Sequence, residues 1–155
     1  MMTRSEEVIA RFTQWIRQRP NSIEFWELVL TDERLVWCYV GQSYRSMLLR
    51  ANMGDRERDV VAESELAELE ARDEHNFVAP IEDLERIRHV EGTRFRRARL
   101  ELEWVDENGT RYDGQMTLVS TADADPQREL VAELDEDPRL EHVEIELESP
   151  RWSFL

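Results

Sequence analysis

A run of arginines between residues 86 and 99 is the feature of this sequence that is best suited to binding chemistry. The stretch RIRHVEGTRFRRAR carries six of the chain's twenty arginines and one glutamate, which leaves it a formal charge of +5. Neighbouring guanidinium groups can bind phosphates or carboxylates through paired hydrogen bonds. We call the six residues the arginine cluster: Arg86, Arg88, Arg94, Arg96, Arg97 and Arg99.

The sequence leaves two interpretations of the arginine cluster open. Strand alternation places Leu100, Leu102 and Trp104 on one face and Arg97 and Arg99 on the solvent face, which Arg86 and Arg88 join if a strand at 86–90 pairs beside them. Arg94 and Arg96 would then lie toward the rim. This face would bind an anionic small ligand or a protein partner. Alternatively, its arginines form a cross-strand charge ladder with neighbouring acids, each pair contributing about 0.2 to 1 kcal/mol.

The charge of the whole chain has the opposite sign. Asp and Glu number 35 against 20 basic residues, and the net charge is -15. Such acidity repels a nucleic acid backbone, so nucleic acid is not an expected partner. Excess surface carboxylate is typical of proteins from salt-rich cells, where salt screens the self-repulsion. We therefore expect an acidic, halophilic protein.

Residues typical of catalytic or metal centres are few and scattered. His75, His89 and His142 have no metal-ligand spacing with one another or with Cys38, so we expect them at surface or turn positions. His89 alone, among arginines, could help to bind an anion. Five glycines form no phosphate-binding loop and no nucleophile elbow. The sequence thus predicts no metal, no cofactor and no enzymatic activity.

Cysteine usage and hydropathy bear on the compartment. The single cysteine, Cys38, cannot form an internal disulfide, lies in an apolar run and is expected to be a buried small hydrophobe. The N-terminus shows no apolar leader, and no run approaches the ~20 apolar residues of a membrane span. We expect a cytoplasmic protein without a transmembrane segment.

The chain length and the apolar periodicity predict how the cluster is held. At 155 residues a single domain is expected. Apolar residues between Val8 and Ile16 recur at helical spacing, which predicts an N-terminal helix within residues 1–20. Two aromatic and β-branched runs predict a hairpin of strands 23–30 and 35–40. One face of it pairs Trp26, Leu28 and Leu30 with Leu35, Trp37 and Tyr39.

The opposite face of this hairpin is also apolar, and we expect the N-terminal helix to cover it. Residues 23–148 would form the core, with a helical insertion at 43–72 and an apolar tail at 149–155. Further strands are predicted at 75–80, 86–90 and 142–148, a hairpin around Asn108-Gly109, and a C-terminal helix beginning near Pro126. The fold class is α+β, with a strongly bent antiparallel sheet or barrel.

From residue 24 to about 137 the chain resembles the pleckstrin-homology-like and GRAM-like superfold. The resemblance lies in three stretches, FWELVLTDERLVWCYV, NFVAPIEDLERI and LELEWVDENGTRYDGQMTLV, and in the helix that follows them. It implies a bent antiparallel barrel closed by a helix and used to bind lipids or proteins. Phosphoinositide-binding members hold lipid phosphates with basic residues around the first hairpin. That turn is acidic here, Thr31-Asp32-Glu33-Arg34, which argues against lipid binding.

The C-terminal segment SPRWSFL is unusually apolar for a chain end. Its apolar side chains either fold back over the sheet or dock on another protein or a second copy. The candidates for self-association are Trp152, Phe154 and Leu155.

These observations favour a non-enzymatic interaction module whose binding surface is the arginine face. The alternative is a small-ligand-binding or enzymatic domain, with a cavity between the sheet and the helices of residues 43–72.

Overall fold

In the part of the chain that the structure describes, eight strands form one sheet that dominates the fold. The structure, a computed structural model, describes residues 6–44, 68–72, 74–93, 96–107, 109, 111–121 and 125–149. The first four strands are β1 (Val8–Gln18), β2 (Ser22–Thr31), β3 (Arg34–Tyr44) and β4 (Phe77–Pro80). The remaining elements are β5 (Leu84–Val90), β6 (Arg99–Trp104), β7 (Gln115–Ser120), the helix α1 (Asp125–Leu134) and β8 (Glu144–Glu148).

The strand order is β4-β3-β2-β1-β7-β6-β5-β8. Seven of these strands pair antiparallel, whereas β8 runs parallel to β5. The prediction of an antiparallel sheet is therefore wrong for its last strand. β8 follows a helix and not a tight turn, so its direction is not set by a hairpin.

The sheet curls until its two halves touch. Trp37 on β3 and Trp104 on β6 have ring centroids 4.5 Å apart. Because four strand spacings separate β3 from β6 in the sheet order, a flat sheet would hold them about 19 Å apart. The inward side chains of both halves thus share one core, into which α1 inserts Val131 and Leu134.

The N-terminal segment is a strand, so the predicted N-terminal helix is wrong. Ala10 and Phe12 point inward as strand neighbours two apart, and a register shift between Phe12 and Trp15 then turns Trp15 inward as well. Gln14 lies in this shift with φ +64. A β-bulge of this kind inserts an extra residue into the strand. Because of this extra residue, the inward side chains of β1 no longer recur every second position. Their spacing in the sequence then resembles the three- and four-residue spacing of an amphipathic helix.

The hairpin of β2 and β3 confirms its sequence-based prediction. Three inward pairs have the predicted partners: Leu30 with Leu35, Leu28 with Trp37 and Trp26 with Tyr39. Its opposite face contributes to a second apolar cluster of Val29, Val36, Cys38, Val40 and Leu69. The prediction that the N-terminal helix covers this face is wrong. Leu69, which lies just before the short 3-10 turn Glu70–Arg72, packs into this cluster.

The other predicted elements have mixed outcomes. The C-terminal helix is confirmed as α1, with Pro126 in its first turn, and the last strand is confirmed as β8. The predicted helical insertion at 43–72 begins inside β3, and residues 45–67 lie outside the described part of the chain. In the described residues, no helix is long and apolar enough to cross a membrane.

Candidate interaction surface

The arginine cluster begins on β5, where alternation separates two outward arginines from two inward residues. Arg86 and Arg88 are partly exposed, whereas Ile87 and His89 are buried. The register places Arg86 between Glu103 on β6 and Glu144 on β8, and it places Arg88 between Glu101 and Glu146. The residues directly opposite these two arginines on both neighbouring strands are therefore all glutamates.

Arg86 forms ion pairs with both neighbouring strands. Its Nη1 lies 3.3 Å from Oε2 of Glu103, and its Nη2 lies 2.5 Å from Oε2 of Glu146. The hydrogen bond to Glu146 raises the pKa of the Arg86 guanidinium, and the same bond lowers the pKa of the Glu146 carboxyl. Each partner thus stabilises the charged form of the other.

Arg88 repeats this arrangement one pair further along the strands. Its Nη1 lies 3.1 Å from Oε1 of Glu101, its Nε lies 3.5 Å from Oε2 of Glu146, and its Nη2 also bonds the carboxylate of Glu148. The bond to Glu148 is the main cause of the raised pKa of Arg88. We call these paired side chains of β6, β5 and β8 the charge ladder.

The charge ladder decides between the two sequence-based interpretations for part of the cluster. Arg86 and Arg88 face solvent as predicted, but neighbouring glutamates already neutralise their charges. A new anion would have to displace these carboxylates. Arg99 is intermediate, because it is partly exposed and its Nε lies 3.5 Å from Oε2 of Glu101 on the same strand.

The loop between β5 and β6 presents the rest of the cluster. Arg96 and Arg97 are exposed, and within the described part of the chain neither side chain forms an ion pair. The backbone closes a turn here, since Thr93 N donates to Arg96 O at 2.7 Å and Arg96 N donates to Thr93 Oγ1 at 3.0 Å. Arg94 lies outside the described residues.

The same loop is held in shape by a close approach of its own backbone. A Cβ on Gly92 would lie 2.9 Å from Ala98 N and 3.0 Å from Arg96 O, so only glycine fits there without a shift. Ser120 N then donates to Ala98 O at 3.0 Å, which ties the loop to β7. Arg96 and Arg97 therefore extend from an anchored turn.

His89 is the residue that sequence reasoning misjudged most. It was predicted at a surface or turn, but it is 1% exposed and lies edge-on to Trp15, with ring centroids 6.1 Å apart. Among the described residues, neither ring nitrogen has a hydrogen-bond partner. Burial lowers the pKa of His89, and the charge of Arg128 lowers it further. The two-residue alternation after Ile87 was the signal that placed it inside.

Two other sequence-based expectations concern chemistry. His75 and His142 are exposed as predicted, and no group of three His, Cys, Asp or Glu in the described residues is placed to hold a metal ion. Cys38 is buried as predicted, and burial raises the pKa of its thiol to about 12. A thiol of this kind is not a nucleophile near neutral pH.

The first hairpin of the sheet is not the one that the sequence suggested. Because β1 is a strand, the first turn lies at 19–21 and the acidic turn at 31–34 is the second. The basic residues beside this first turn are Arg17 and Arg19, whose Nη1 atoms lie 3.1 and 3.8 Å from the carboxylate oxygens of Glu24. Their charges are shared with an acid, which weakens them as a phosphate site.

The C-terminal candidates Trp152, Phe154 and Leu155 lie outside the described residues. The carboxylates of β8 are ladder partners that the sequence did not assign to the arginines. The alternation of Glu144, Glu146 and Glu148 was their only sequence signal, because pairing of β8 with β5 joins residues about sixty positions apart.

Comparisons with known proteins show a likeness of fold. No family model and no curated protein matches the chain. Among solved structures, the chain is similar to the hSac2 domain from human phosphoinositide phosphatase Sac2, with a TM-score of 0.51 and 10% sequence identity. The match covers 97% of this chain and 81% of that chain. At this identity the likeness concerns the fold alone.

Proposed function

We propose that this protein is a non-enzymatic cytoplasmic interaction module that binds an acidic segment of a partner protein through Arg96 and Arg97. The proposal depends on one observation. Two adjacent exposed arginines lack an acidic partner among the described residues, whereas Arg86 and Arg88 of the same cluster each form ion pairs with glutamates of both neighbouring strands.

Electrostatics support a partner that is acidic only in part. Because the chain carries a net charge of -15, a strongly anionic macromolecule is repelled at long range. Repulsion of this kind is screened beyond about 8 Å at physiological salt, so a short acidic segment can still reach the loop. Guanidinium groups then bind carboxylates through two parallel hydrogen bonds, which gives the contact its geometry.

The placement of these arginines favours a protein surface over a small anion. Small-ligand sites bury most of the ligand and converge several polar groups on it. Arg96 and Arg97 are instead exposed on a loop, beside the partly exposed strand end of Arg99. Side chains of this kind are suited to the polar rim of a protein interface.

The fold supports the proposed binding role. We propose that the four-strand and three-strand halves, joined through β1 and β7 and followed by α1, are a variant of the pleckstrin-homology-like superfold with β8 added. The hSac2 domain, which shares the fold at a TM-score of 0.51, belongs to a phosphoinositide phosphatase. An anionic lipid is therefore the natural competing ligand in any binding test.

The alternative, a small-ligand or enzymatic domain, depends on a cavity against the 43–72 segment, most of which lies outside the described residues. The buried thiol of Cys38 offers that alternative no nucleophile.

The proposal is tested by titrating the full chain with a soluble oligoglutamate peptide at low and moderate salt. Replacing both arginines (Arg96→Gln with Arg97→Gln) should weaken binding about tenfold or more, as expected for the loss of charge-assisted hydrogen bonds. The matched control, Arg72→Gln with Arg111→Gln, removes the same charge from two other exposed arginines and should change binding by less than about twofold.

Three outcomes would overturn the proposal. The peptide could fail to bind at low salt, or the control variant could lose as much affinity as the loop variant. Vesicles containing phosphatidylserine, or inorganic phosphate, could bind more tightly than the peptide, which would assign the loop to a lipid or to a small anion instead.

A further inference from the structure

The strand β8 ends the sheet on one side. It pairs with β5 along one edge, and no strand of the described residues pairs with its other edge. The backbone groups along an unpaired edge can accept a further strand from another chain. Binding by strand addition uses these main-chain groups for affinity and alternate side chains for specificity.

The charges of the ladder alternate from strand to strand toward this edge. One row runs from Glu103 on β6 through Arg86 on β5 to Glu144 on β8. The next row runs from Glu101 through Arg88 to Glu146. Continuing the alternation by one strand would place basic side chains beside β8, since opposite charges on neighbouring strands stabilise a pair.

Among the described residues, Glu144 on the outermost strand forms no ion pair with an arginine. The ladder contains five glutamates, at 101, 103, 144, 146 and 148, but only three arginines, at 86, 88 and 99. At the edge, the carboxyl of Glu144 hydrogen-bonds that of Glu146, which raises the pKa of Glu144. The two carboxyl groups therefore lie side by side at this edge, where one basic side chain would contact both.

The opposite face of β8 offers a second contact. Leu147 is 37% exposed, one of two large apolar side chains exposed to this degree among the described residues. It alternates with Glu146 and Glu148, so an added strand with apolar residues between its basic ones would cover it.

From this arrangement we propose that the free edge of β8 binds an extended basic segment of a partner protein as a ninth strand. Its Lys or Arg side chains lie beside Glu144 and Glu146, and its intervening apolar side chains cover Leu147. A second copy of this chain is a poor occupant, because antiparallel pairing of two β8 strands would set glutamates against glutamates.

The test uses the full chain and a synthetic peptide that alternates arginine and valine. We expect the peptide to bind, to slow hydrogen exchange of the β8 amides, and to lose about tenfold or more of its affinity in a Glu144→Lys variant. The control Glu129→Lys makes the same charge change at an exposed position on α1 and should weaken binding much less.

A second peptide separates strand addition from attraction between charges. It has the same sequence with alternate backbone nitrogens methylated, so it keeps its charge but cannot pair along an edge. Equal binding of both peptides would overturn the proposal. So would protection, in the absence of peptide, of those β8 amides that point away from β5, or a dimer in which a second copy protects them.

Discussion

The guanidinium of Arg88 lies 3.1 Å from the carboxylate of Glu101 across the antiparallel pair of β5 and β6. Both side chains are about a quarter exposed, and Arg88 also bonds Glu148 of β8 on its other side. Arg88 and Arg86 thus form ion pairs that join neighbouring strands, whereas Arg96 and Arg97 of the same cluster are exposed to solvent.

The ladder makes a modest, salt-sensitive contribution to stability. In a double-mutant cycle with Arg88→Met and Glu101→Gln, we expect a coupling of about 0.2 to 1 kcal/mol at low salt, because both groups are partly solvated. Molar salt should reduce this coupling through screening. Urea unfolding of the four proteins measures it, and a coupling of zero at low salt would show that the pair contributes nothing to folding.

The bulge in β1 predicts an unusual response to glycine. Gln14 has φ +64, a conformation in which a non-glycine residue is strained. Gln14→Gly should therefore leave the free energy of unfolding unchanged or raise it, by at most about 1 kcal/mol. Arg11→Gly, at an exposed position in the regular part of the strand, should lower it by about 0.5 to 1 kcal/mol.

Chemical denaturation of these two variants also tests the N-terminal structure. If residues 8 to 18 were helical, both glycines would cost about the same, roughly 1 kcal/mol. Equal losses would therefore contradict the bulged strand.

Gly114 is predicted to be nearly irreplaceable. It has φ +76, and a Cβ there would lie 2.4 Å from the carbonyl oxygen of Trp104, which is backbone and cannot swing aside. We expect Gly114→Ala to cost more than about 2 kcal/mol of stability. The control is Gly109→Ala, which has a similar φ of +62 but meets only the movable side chain of Asp113 at 3.1 Å. Similar losses in the two variants would show that the clash with Trp104 is not the cause.

His89 should make stability depend on pH. Its pKa is lowered in the fold by burial and by Arg128, while Glu91 and Asp125 oppose the shift. The unfolded chain therefore binds a proton more readily, so stability is full above the unfolded pKa of about 6.5 and falls as the pH drops below it. Urea unfolding between about pH 8 and 5 should show this loss.

Two variants test whether His89 causes this pH dependence. His89→Leu should flatten it over this range, whereas His75→Gln, at an exposed histidine, should behave as the unaltered protein does. An unchanged slope in His89→Leu would mean that other groups cause the loss.

Local pattern predicted much of the sheet. The inward face of β6 followed from alternation, because a strand with one buried face admits a single register. The pairing of Leu28 with Trp37 followed from the short acidic turn, because the turn of a hairpin fixes its register. The N-terminal strand was mistaken for a helix because the bulge at Gln14 disguises its period. Such a bulge depends on partners in β2, including Glu27, whose carboxylate accepts a hydrogen bond from Gln14 N at 3.1 Å.

The candidate site was predictable only in outline. That Arg86 and Arg88 face outward follows from the sequence, but half of their acidic partners lie on β8, which follows a helix and pairs in parallel with β5. Nothing in the local sequence specifies such a long-range pairing. Which arginines of the cluster are paired and which are not could therefore be read only from the folded structure.

Arginine-selective modification tests this separation most directly. The full chain would be treated briefly with phenylglyoxal under native conditions, and each modified position would be quantified by peptide mass spectrometry. We predict that Arg96 and Arg97 react first, while Arg86 and Arg88 are protected by their carboxylate partners until the protein is unfolded. Modification of Arg86 and Arg88 as fast as that of Arg96 and Arg97 would contradict the division of the cluster and the function proposed from it.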